Sequence, residues 1–191
     1  MIAHIIDDLY DFTFLAELEH TLLEMPIHTT NVANPRSFPN GRTGSHRLFG
    51  TDVFVREGLN RVTQLIKEAP IFFDAFKIIE NEIFKDDIFL QRIDVNLQYF
   101  RQDGTGHYDG DDDHALTVML MNCCQWKPEW GGQFQLLDDD DNVIEEHEYV
   151  PGRVLIFPGK CKHRGLAPTD PYVYRFTTVF RIEVENIDDF F

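Results

Sequence analysis

Hydrophobic positions in the first half of the chain repeat at helical spacing. Across Phe12–Met25 the apolar side chains fall on one stripe, which predicts a helix over that segment. A second helical stretch is predicted from about Gly58 to Phe84, and Pro70 is expected to divide it. Between the two stretches, residues 34–47 are rich in proline, glycine and asparagine, so they are predicted to form a loop.

From residue 94 onward the pattern changes to the alternation of strands, beginning with apolar residues at 95, 97 and 99. The later predicted strands, separated by turn residues, are Ala115–Asn122, Gln133–Leu137, Val143–Tyr149, Arg153–Phe157 and Tyr174–Glu183. Short strands with regular turns predict an all-β sandwich or barrel, with the preceding helices as a supporting layer. With no repeat or linker visible, one domain is expected over 1–191, with helices and a loop in 1–93 and the β core in 94–183.

Composition and charge restrict the class of protein. The 191 residues suffice for one sizeable core, and 33 acidic against 17 basic residues give a formal net charge of −16. This charge disfavours nonspecific nucleic-acid binding but leaves a locally basic groove open. Three cysteines without CxxC spacing argue against a disulfide framework, and no apolar run approaches the ~20 residues of a membrane span. We expect a soluble, cytoplasmic protein without a membrane partner, of undetermined oligomeric state.

Three candidate metal ligands lie in the predicted β region. His107 and Asp109 share one face if the chain is extended there, because residues two apart on a strand point the same way. His163 follows 56 residues after His107 and joins them only if the sheet closes on itself. Two imidazoles and one carboxylate are the set that binds one face of Fe(II) in non-haem oxygenases. A catalytic zinc site of the same composition stays open.

Other interpretations of the acidic and histidine residues in this region agree with the sequence to different degrees. His114 competes with His107, since Asp112 and His114 have the same two-residue spacing. A calcium loop starting at Asp109 fails, because His114 stands where the loop requires glycine and Leu120 where it requires glutamate. The acidic run 138–142 fails the same test, so both runs are interpreted as solvated turns. His147 is expected on an exposed strand face.

Arg175 lies near the start of the last predicted strand. On the solvent face it would need no special partner, but inside a barrel an unpaired guanidinium would be prohibitively costly. A dicarboxylic cosubstrate would provide the anion that such a buried position requires. Thr177 lies two residues further on the same face and offers a second hydrogen bond.

Together these residues resemble the 2-oxoglutarate- and Fe(II)-dependent oxygenases, specifically the prolyl-4-hydroxylase-like branch. The resemblance covers residues 94–183 and is carried by Tyr99, Gly104-Thr105-Gly106, His107-Tyr108-Asp109, Leu120-Met121-Asn122, Trp130–Phe134, Pro151–Phe157, His163 and Arg175–Phe180. It implies a mainly β fold, a double-stranded β-helix (jelly-roll, cupin-like) barrel with an N-terminal α layer. The turn before His107 is shorter than in close prolyl hydroxylase relatives, and the gap from His163 to Arg175 is slightly longer.

The resemblance also implies roles for individual residues. His107, Asp109 and His163 would bind iron and form the catalytic centre, and Arg175 would pair with the distal carboxylate of 2-oxoglutarate. The secondary cosubstrate contacts would be Tyr99 and Thr177. The implied cofactors are Fe(II), 2-oxoglutarate and O₂, with ascorbate as an auxiliary reductant. The implied reaction is C–H hydroxylation coupled to decarboxylation of 2-oxoglutarate to succinate and CO₂.

The substrate is less constrained than the reaction. By resemblance, peptidyl prolyl hydroxylation is the first expectation, while a free amino acid, a nucleobase or a non-catalytic β-barrel binding module stay open. Four arginines between the predicted helices are either an ordinary solvated loop or a flap over the site: Arg36, Arg42, Arg47 and Arg56. Trp126 and Trp130 either line the opposite lip or pack the end of the barrel.

Overall fold

The computed structural model describes residues 2–28, 49–57, 61–64, 70–84, 88–185 and 187. The helices are α1 (Phe12–Glu24) and α2 (Ile71–Ile79), and α2 continues into a π-helical turn at Glu80–Phe84. The strands are β1 (His4–Ile6), β2 (Phe49–Glu57), β3 (Arg61–Gln64), β4 (Phe89–Tyr99), β5 (Ala115–Met121), β6 (Phe134–Leu137), β7 (Val143–His147), β8 (Val154–Pro158), β9 (His163–Gly165) and β10 (Tyr174–Glu183).

Helix α1 confirms the prediction from periodicity. Asp11 is its N-cap, and the Asp11 carboxylate accepts a hydrogen bond from the backbone N–H of Phe14 at 2.8 Å. The helix stops before Pro26, which disfavours helical geometry in the residue that precedes it. Leu15, Leu18 and Leu22 are its buried stripe. Within the described residues, no helix has the length and apolar character that crossing a membrane requires.

The strands form two antiparallel sheets. In the large sheet the order is β1-β8-β5-β10-β4-β2-β3, and in the small sheet it is β7-β6-β9. The longest strands, β4 and β10, pair near the middle of the large sheet. The aromatic rings of Phe134 on β6 and Phe157 on β8 are 5.0 Å apart, so the two sheets contact each other through the core.

The two faces of the large sheet differ in character. On one face Ile93 and Phe180 are opposite each other and fully buried, and the Phe180 ring lies 6.0 Å from Phe76 of α2. The other face carries a row of polar and charged side chains along β10, which are Arg175, Thr177 and Arg181. Side chains alternate across a strand, so the apolar face packs on the helices and the polar face is left for the space between the sheets.

The first half of the chain contains more strand than the sequence pattern predicts. The helix expected from Gly58 is wrong at Arg61–Gln64, where β3 pairs with β2, and the described α2 begins at Ile71. Strand β4 likewise begins at Phe89, before the predicted change at residue 94. The reason is tertiary: β2 is hydrogen-bonded along β4, and that pairing outweighs local helix periodicity. The predicted loop at 34–47 lies outside the described residues.

The predicted strands of the second half are confirmed to within a few residues. The observed bounds of β5, β6, β7 and β8 each fall within two residues of the predicted ones. Strand β10 matches its prediction at both ends. Alternating or continuous apolar runs bounded by glycine, proline and aspartate turns were sufficient signals in this part of the chain.

Phe180→Ala is expected to lower the free energy of unfolding by about 3–5 kcal/mol, because it empties a fully buried position between the large sheet and α2. Tyr172→Ala is the control, since Tyr172 is 94% exposed, and it should change that free energy by less than about 0.5 kcal/mol. Denaturant unfolding measures both. Equal effects of the two substitutions would contradict the assigned packing.

Candidate metal and cosubstrate site

Backbone pairing between two distant segments forms the candidate metal site. The N–H of His107 donates to the carbonyl of His163 at 3.0 Å, and the N–H of His163 donates back at 2.9 Å. Two residues later the N–H of Asp109 donates to the carbonyl of Gly159 at 3.0 Å. The segment from 107 to 109 therefore runs beside the 159–163 segment, and its side chains meet that of His163.

The three side chains converge as a metal site requires. One ligand atom from each of His107, Asp109 and His163 lies within 4.8 Å of the others. The Asp109 carboxylate is 3.8 Å from Nε2 of His107 and 3.5 Å from Nε2 of His163. These separations are small enough for one metal ion to be bound by all three side chains.

Both imidazoles are held by the nitrogen that does not face the cluster. Nδ1 of His107 is 2.9 Å from the carbonyl of Thr105, and Nδ1 of His163 is 2.9 Å from the carbonyl of Cys161. A carbonyl only accepts, so each Nδ1 donates to it, and each Nε2 faces the Asp109 carboxylate. Such orientation of a histidine through its second nitrogen is the usual arrangement around protein-bound metals.

The local electrostatics favour the ligand forms of these residues. Burial and the neighbouring His163 ring lower the pKa of His107 to about 4. Burial alone would raise the pKa of Asp109, but Arg181 and the two histidines outweigh it and hold that pKa well below its usual range. Near neutral pH the His107 ring is thus neutral and Asp109 is an anion, so neither residue has to lose a proton before it binds a metal.

Arg181 and Thr117 each donate a hydrogen bond to a different oxygen of the Asp109 carboxylate. Nη2 of Arg181 donates to Oδ1 at 2.9 Å, and Oγ1 of Thr117 donates to Oδ2 at 2.9 Å. Neither residue was singled out from the sequence. A signal was present for Arg181, since it is six residues after Arg175 and strand alternation places both on one face.

The competing histidines are placed elsewhere. His114 is exposed at the start of β5, so the structure brings His107 to the cluster and leaves His114 outside it. The expectation of an exposed His147 is wrong, because its side chain is buried and Nε2 lies 2.9 Å from the Glu145 carboxylate. The Glu145 carboxylate also accepts a hydrogen bond from the backbone N–H of Ile2, so the N-terminal segment contacts this strand.

Arg175 is buried to 2% exposure on the polar face of the large sheet. Its Nε donates to the carbonyl of Gly132 at 2.9 Å and its Nη1 to Oε1 of Gln98 at 2.6 Å, and the guanidinium lies 5.0 Å from the Tyr149 ring centre. Its Nη2 is buried and has no hydrogen-bond partner among the described residues. No described carboxylate forms an ion pair with Arg175, in contrast to Arg181. A buried cation with an unused donor is suited to an anionic ligand.

Glycines leave the space beside this guanidinium. Gly165 is two residues after His163, and a Cβ built on it would lie 3.1 Å from Nη1 and 3.3 Å from Nη2 of Arg175. Gly132 has a φ of +78°, and a Cβ there would lie 2.8 Å from the Trp126 ring. A side chain at either position would crowd Arg175, so the two glycines, Gly165 on the strand that carries His163 and Gly132 just before β6, keep its surroundings open.

The two predicted secondary contacts are placed differently. Thr177 is buried on the same face of β10 as Arg175. Tyr99 is 44% exposed, packs edge-on against Phe49, and lies on the opposite face of β4 from Gln98. The structure therefore does not bring Tyr99 to Arg175, because Gln98 has the strand parity that reaches the guanidinium.

The remaining residues that the sequence singled out lie in other parts of the fold or outside the described residues. Arg36, Arg42 and Arg47 lie outside the described residues. Arg56 is on β2 instead of in a loop, where its Nε donates to the carbonyl of Leu90 at 2.9 Å. Trp126 and Trp130 pack edge-on at 5.5 Å and line a groove of about 280 Å³ that also contacts Glu19 of α1. His107, Asp109 and His163 are not among the residues that line this groove.

Comparison with known proteins gives no match in sequence and clear matches in structure. No protein-family model matches the chain, and no curated protein matches it. An oxidoreductase of the 2OG-Fe(II) oxygenase family from Burkholderia pseudomallei superposes with a TM-score of 0.64 at 12% identity, over 95% of this chain and 84% of that one. The chain has the fold of the 2-oxoglutarate- and Fe(II)-dependent oxygenases.

Two prolyl hydroxylases share this oxygenase fold with the chain. The Pseudomonas putida prolyl-4-hydroxylase superposes with a TM-score of 0.59 at 14% identity, over 96% of this chain and 93% of that one. A Trichoplax adhaerens prolyl hydroxylase, solved with a peptide fragment of the hypoxia-inducible-factor oxygen degradation domain, gives 0.64 at 12% identity, over 95% and 83%. The predicted fold class, a jelly-roll with supporting helices, is confirmed by these superpositions.

Metal-free protein is expected to lose stability as the pH falls from 6.5 toward about 4. The unfolded His107 takes up a proton in this window and the folded, buried ring does not, so the free energy of unfolding rises with pH there. The change is roughly 3 kcal/mol at most, for a shift of this size.

Denaturant unfolding of metal-free protein at several pH values measures this dependence. The matched variant is His107→Asn, which cannot titrate and should show a flatter dependence between the same two pH values. A variant as steep as the wild type would contradict a depressed pKa at His107.

Proposed function

We propose that this chain is an Fe(II)- and 2-oxoglutarate-dependent dioxygenase that hydroxylates a C–H bond. The observation that carries the proposal is the pairing of two features within an oxygenase fold. One is the cluster of two imidazoles and a carboxylate, with both Nε2 atoms directed inward. The other is a buried guanidinium that has an unused donor.

The residues present fit the implied metal and cosubstrate. His107, Asp109 and His163 would hold Fe(II), and they leave further coordination positions for other ligands. Arg175 would pair with the distal carboxylate of 2-oxoglutarate through Nη2, which would satisfy an otherwise orphaned buried donor. When bound, iron and 2-oxoglutarate supply with O₂ the oxidation of a C–H bond to an alcohol, as the cosubstrate becomes succinate and CO₂.

The protein's own residues bind, orient and exclude water in this scheme. The carbonyls of Thr105 and Cys161 fix the two imidazole planes before any metal arrives, which reduces the entropy lost on binding. Gln98 fixes the guanidinium of Arg175 in the same way. Burial of Arg175 removes competing water, so its interaction with a carboxylate is stronger than at the surface.

Peptidyl prolyl hydroxylation is the substrate class we propose first. It is supported by the superposition on two prolyl hydroxylases, one of which was solved with a peptide. The same chemistry on a free amino acid or a nucleobase is the alternative. A binding module with an inert site would have the same fold but would not need the ligand-ready imidazoles or the orphaned donor of Arg175.

Arg175→Gln is expected to weaken 2-oxoglutarate binding by at least about 30-fold, since truncating one partner of a buried charge pair costs about 2 kcal/mol or more. Fe(II) binding should persist in that variant and be lost in His163→Ala. Anaerobic titration with Fe(II) and then 2-oxoglutarate, followed by visible absorption and calorimetry, separates the two ligands.

The control for this titration is Tyr99→Ala, because Tyr99 lies on the opposite face of β4 from the Arg175 contact. It should change 2-oxoglutarate affinity by less than about twofold, as expected for a residue without contact to the site. Wild-type protein that binds Fe(II) but shows no preference for 2-oxoglutarate would refute the proposed function. Succinate release with prolyl peptides, free proline or nucleotides then separates the substrate classes.

A further inference from the structure

A row of charges of alternating sign leads from β2 to the candidate metal ligand Asp109. Asp52 is 2.5 Å from Arg92, and Arg92 is 2.6 Å from Asp94. Asp94 is 3.6 Å from Nε of Arg181, whose Nη2 is 2.9 Å from Asp109. Each cation thus lies between two carboxylates, and the row ends at the cluster.

This row is not a set of surface ion pairs. The side chains of Asp94 and Asp109 are only 4% and 5% exposed, and Arg181 is about one-third exposed between them. Charges buried to this extent persist only when they are paired and hydrogen-bonded, and removing one partner leaves the other uncompensated. The contact between Arg181 and Asp109 is therefore expected to constrain both side chains strongly.

Strand register places Arg181 at this point. On β10, Arg181 is opposite Arg92 of β4 on one side and Thr117 of β5 on the other. Directly opposed residues of antiparallel strands present their side chains on one face, so these three polar groups form one row across the sheet. Thr117 and Arg181 both reach Asp109, each on a different carboxylate oxygen.

We propose that Arg181 is a positioning residue for the metal centre, acting through Asp109. With Thr117 it fixes the plane of the carboxylate, so that Asp109 presents a set lone pair to a metal between His107 and His163. This inference rests on the proposed function, because it assumes that the cluster binds a divalent metal.

The charge of Arg181 does not oppose this role. A lone guanidinium near a divalent metal would repel it, but the Asp94 carboxylate lies 3.6 Å from Nε of Arg181. When Asp94 is ionised the pair has no net charge, so its main effect on the metal is to orient Asp109. Burial raises the pKa of Asp94 to about 7, and measurements at pH 8 therefore keep that carboxylate ionised.

The test compares Arg181→Gln with Arg181→Lys and with the matched control Arg164→Gln. Arg164 is next to His163 in the chain, but its Nε donates to Gln135 and not to a cluster residue. Manganese(II) affinity, from the electron paramagnetic resonance of free Mn(II), measures binding. The visible spectrum of the Co(II)-loaded protein reports the coordination geometry, which a merely structural role would leave unchanged.

Arg181→Gln is expected to bind Mn(II) about 10- to 100-fold more weakly and to change the Co(II) spectrum, as loss of a group that orients a ligand usually does. Arg181→Lys should recover part of the affinity, because it restores the charge and one donor. Arg164→Gln should match the wild type. Affinity that is unchanged or tighter in Arg181→Gln, with an unaltered Co(II) spectrum, would overturn the inference.

A second variant keeps the test valid if Arg181→Gln fails to fold. Thr117→Val removes the other donor to Asp109 and should shift the Co(II) spectrum in the same direction with a smaller loss of affinity. An unchanged spectrum in that variant would overturn the inference. Wild-type protein that binds neither metal would refute the proposed function itself, which distinguishes the two failures.

Discussion

The candidate site depends on one pair of backbone hydrogen bonds, those between His107 and His163. They join segments that are far apart in the chain, and they place two imidazoles with ring centres 4.3 Å apart. Supporting bonds lie on either side, since Gly104 donates to the carbonyl of Gly165 and β9 pairs with β6. Without this closure His107 and Asp109 would lack the third ligand, so the site is a product of the tertiary fold.

The second constraint is the cost of burying charge between the sheets. Arg175 and Arg181 lie on the same face of β10, but the protein satisfies them differently. Arg181 is paired with Asp109 and Asp94, whereas Arg175 is held by a carbonyl and an amide and keeps an unused donor. One strand therefore carries an arginine that is paired with a carboxylate of the candidate metal cluster and an arginine whose buried Nη2 has no partner among the described residues.

Sequence reasoning found the parts of the site that local pattern determines. The two-residue spacing of His107 and Asp109 required only an extended chain, and the bounds of α1 and β10 followed from periodicity. The face of a strand is harder to assign. Alternation grouped Tyr99 with apolar neighbours, and that face packs toward the helices while Gln98 turns to Arg175.

The features that sequence reasoning missed depend on contacts between distant residues. The hairpin of β2 and β3 exists because β2 pairs with β4, and no local signal outweighs helical periodicity there. The contact of His147 with Glu145 and the ion pair of Arg181 with Asp109 likewise join groups whose proximity depends on the arrangement of the sheets. An all-β sandwich or barrel could be predicted from the sequence, because strand count and turn spacing are local properties. The jelly-roll itself was implied by the resemblance to the oxygenase family.

The most direct test of the account is a crystal structure of the protein grown anaerobically with Mn(II) and 2-oxoglutarate. Anomalous scattering locates the metal without reference to any assigned ligand. The account predicts one Mn(II) bound by Nε2 of His107, Nε2 of His163 and an Asp109 oxygen, with the distal carboxylate of 2-oxoglutarate on Nη2 of Arg175. Manganese bound at His114, or Arg175 without a carboxylate partner in crystals that contain ordered 2-oxoglutarate, would contradict it.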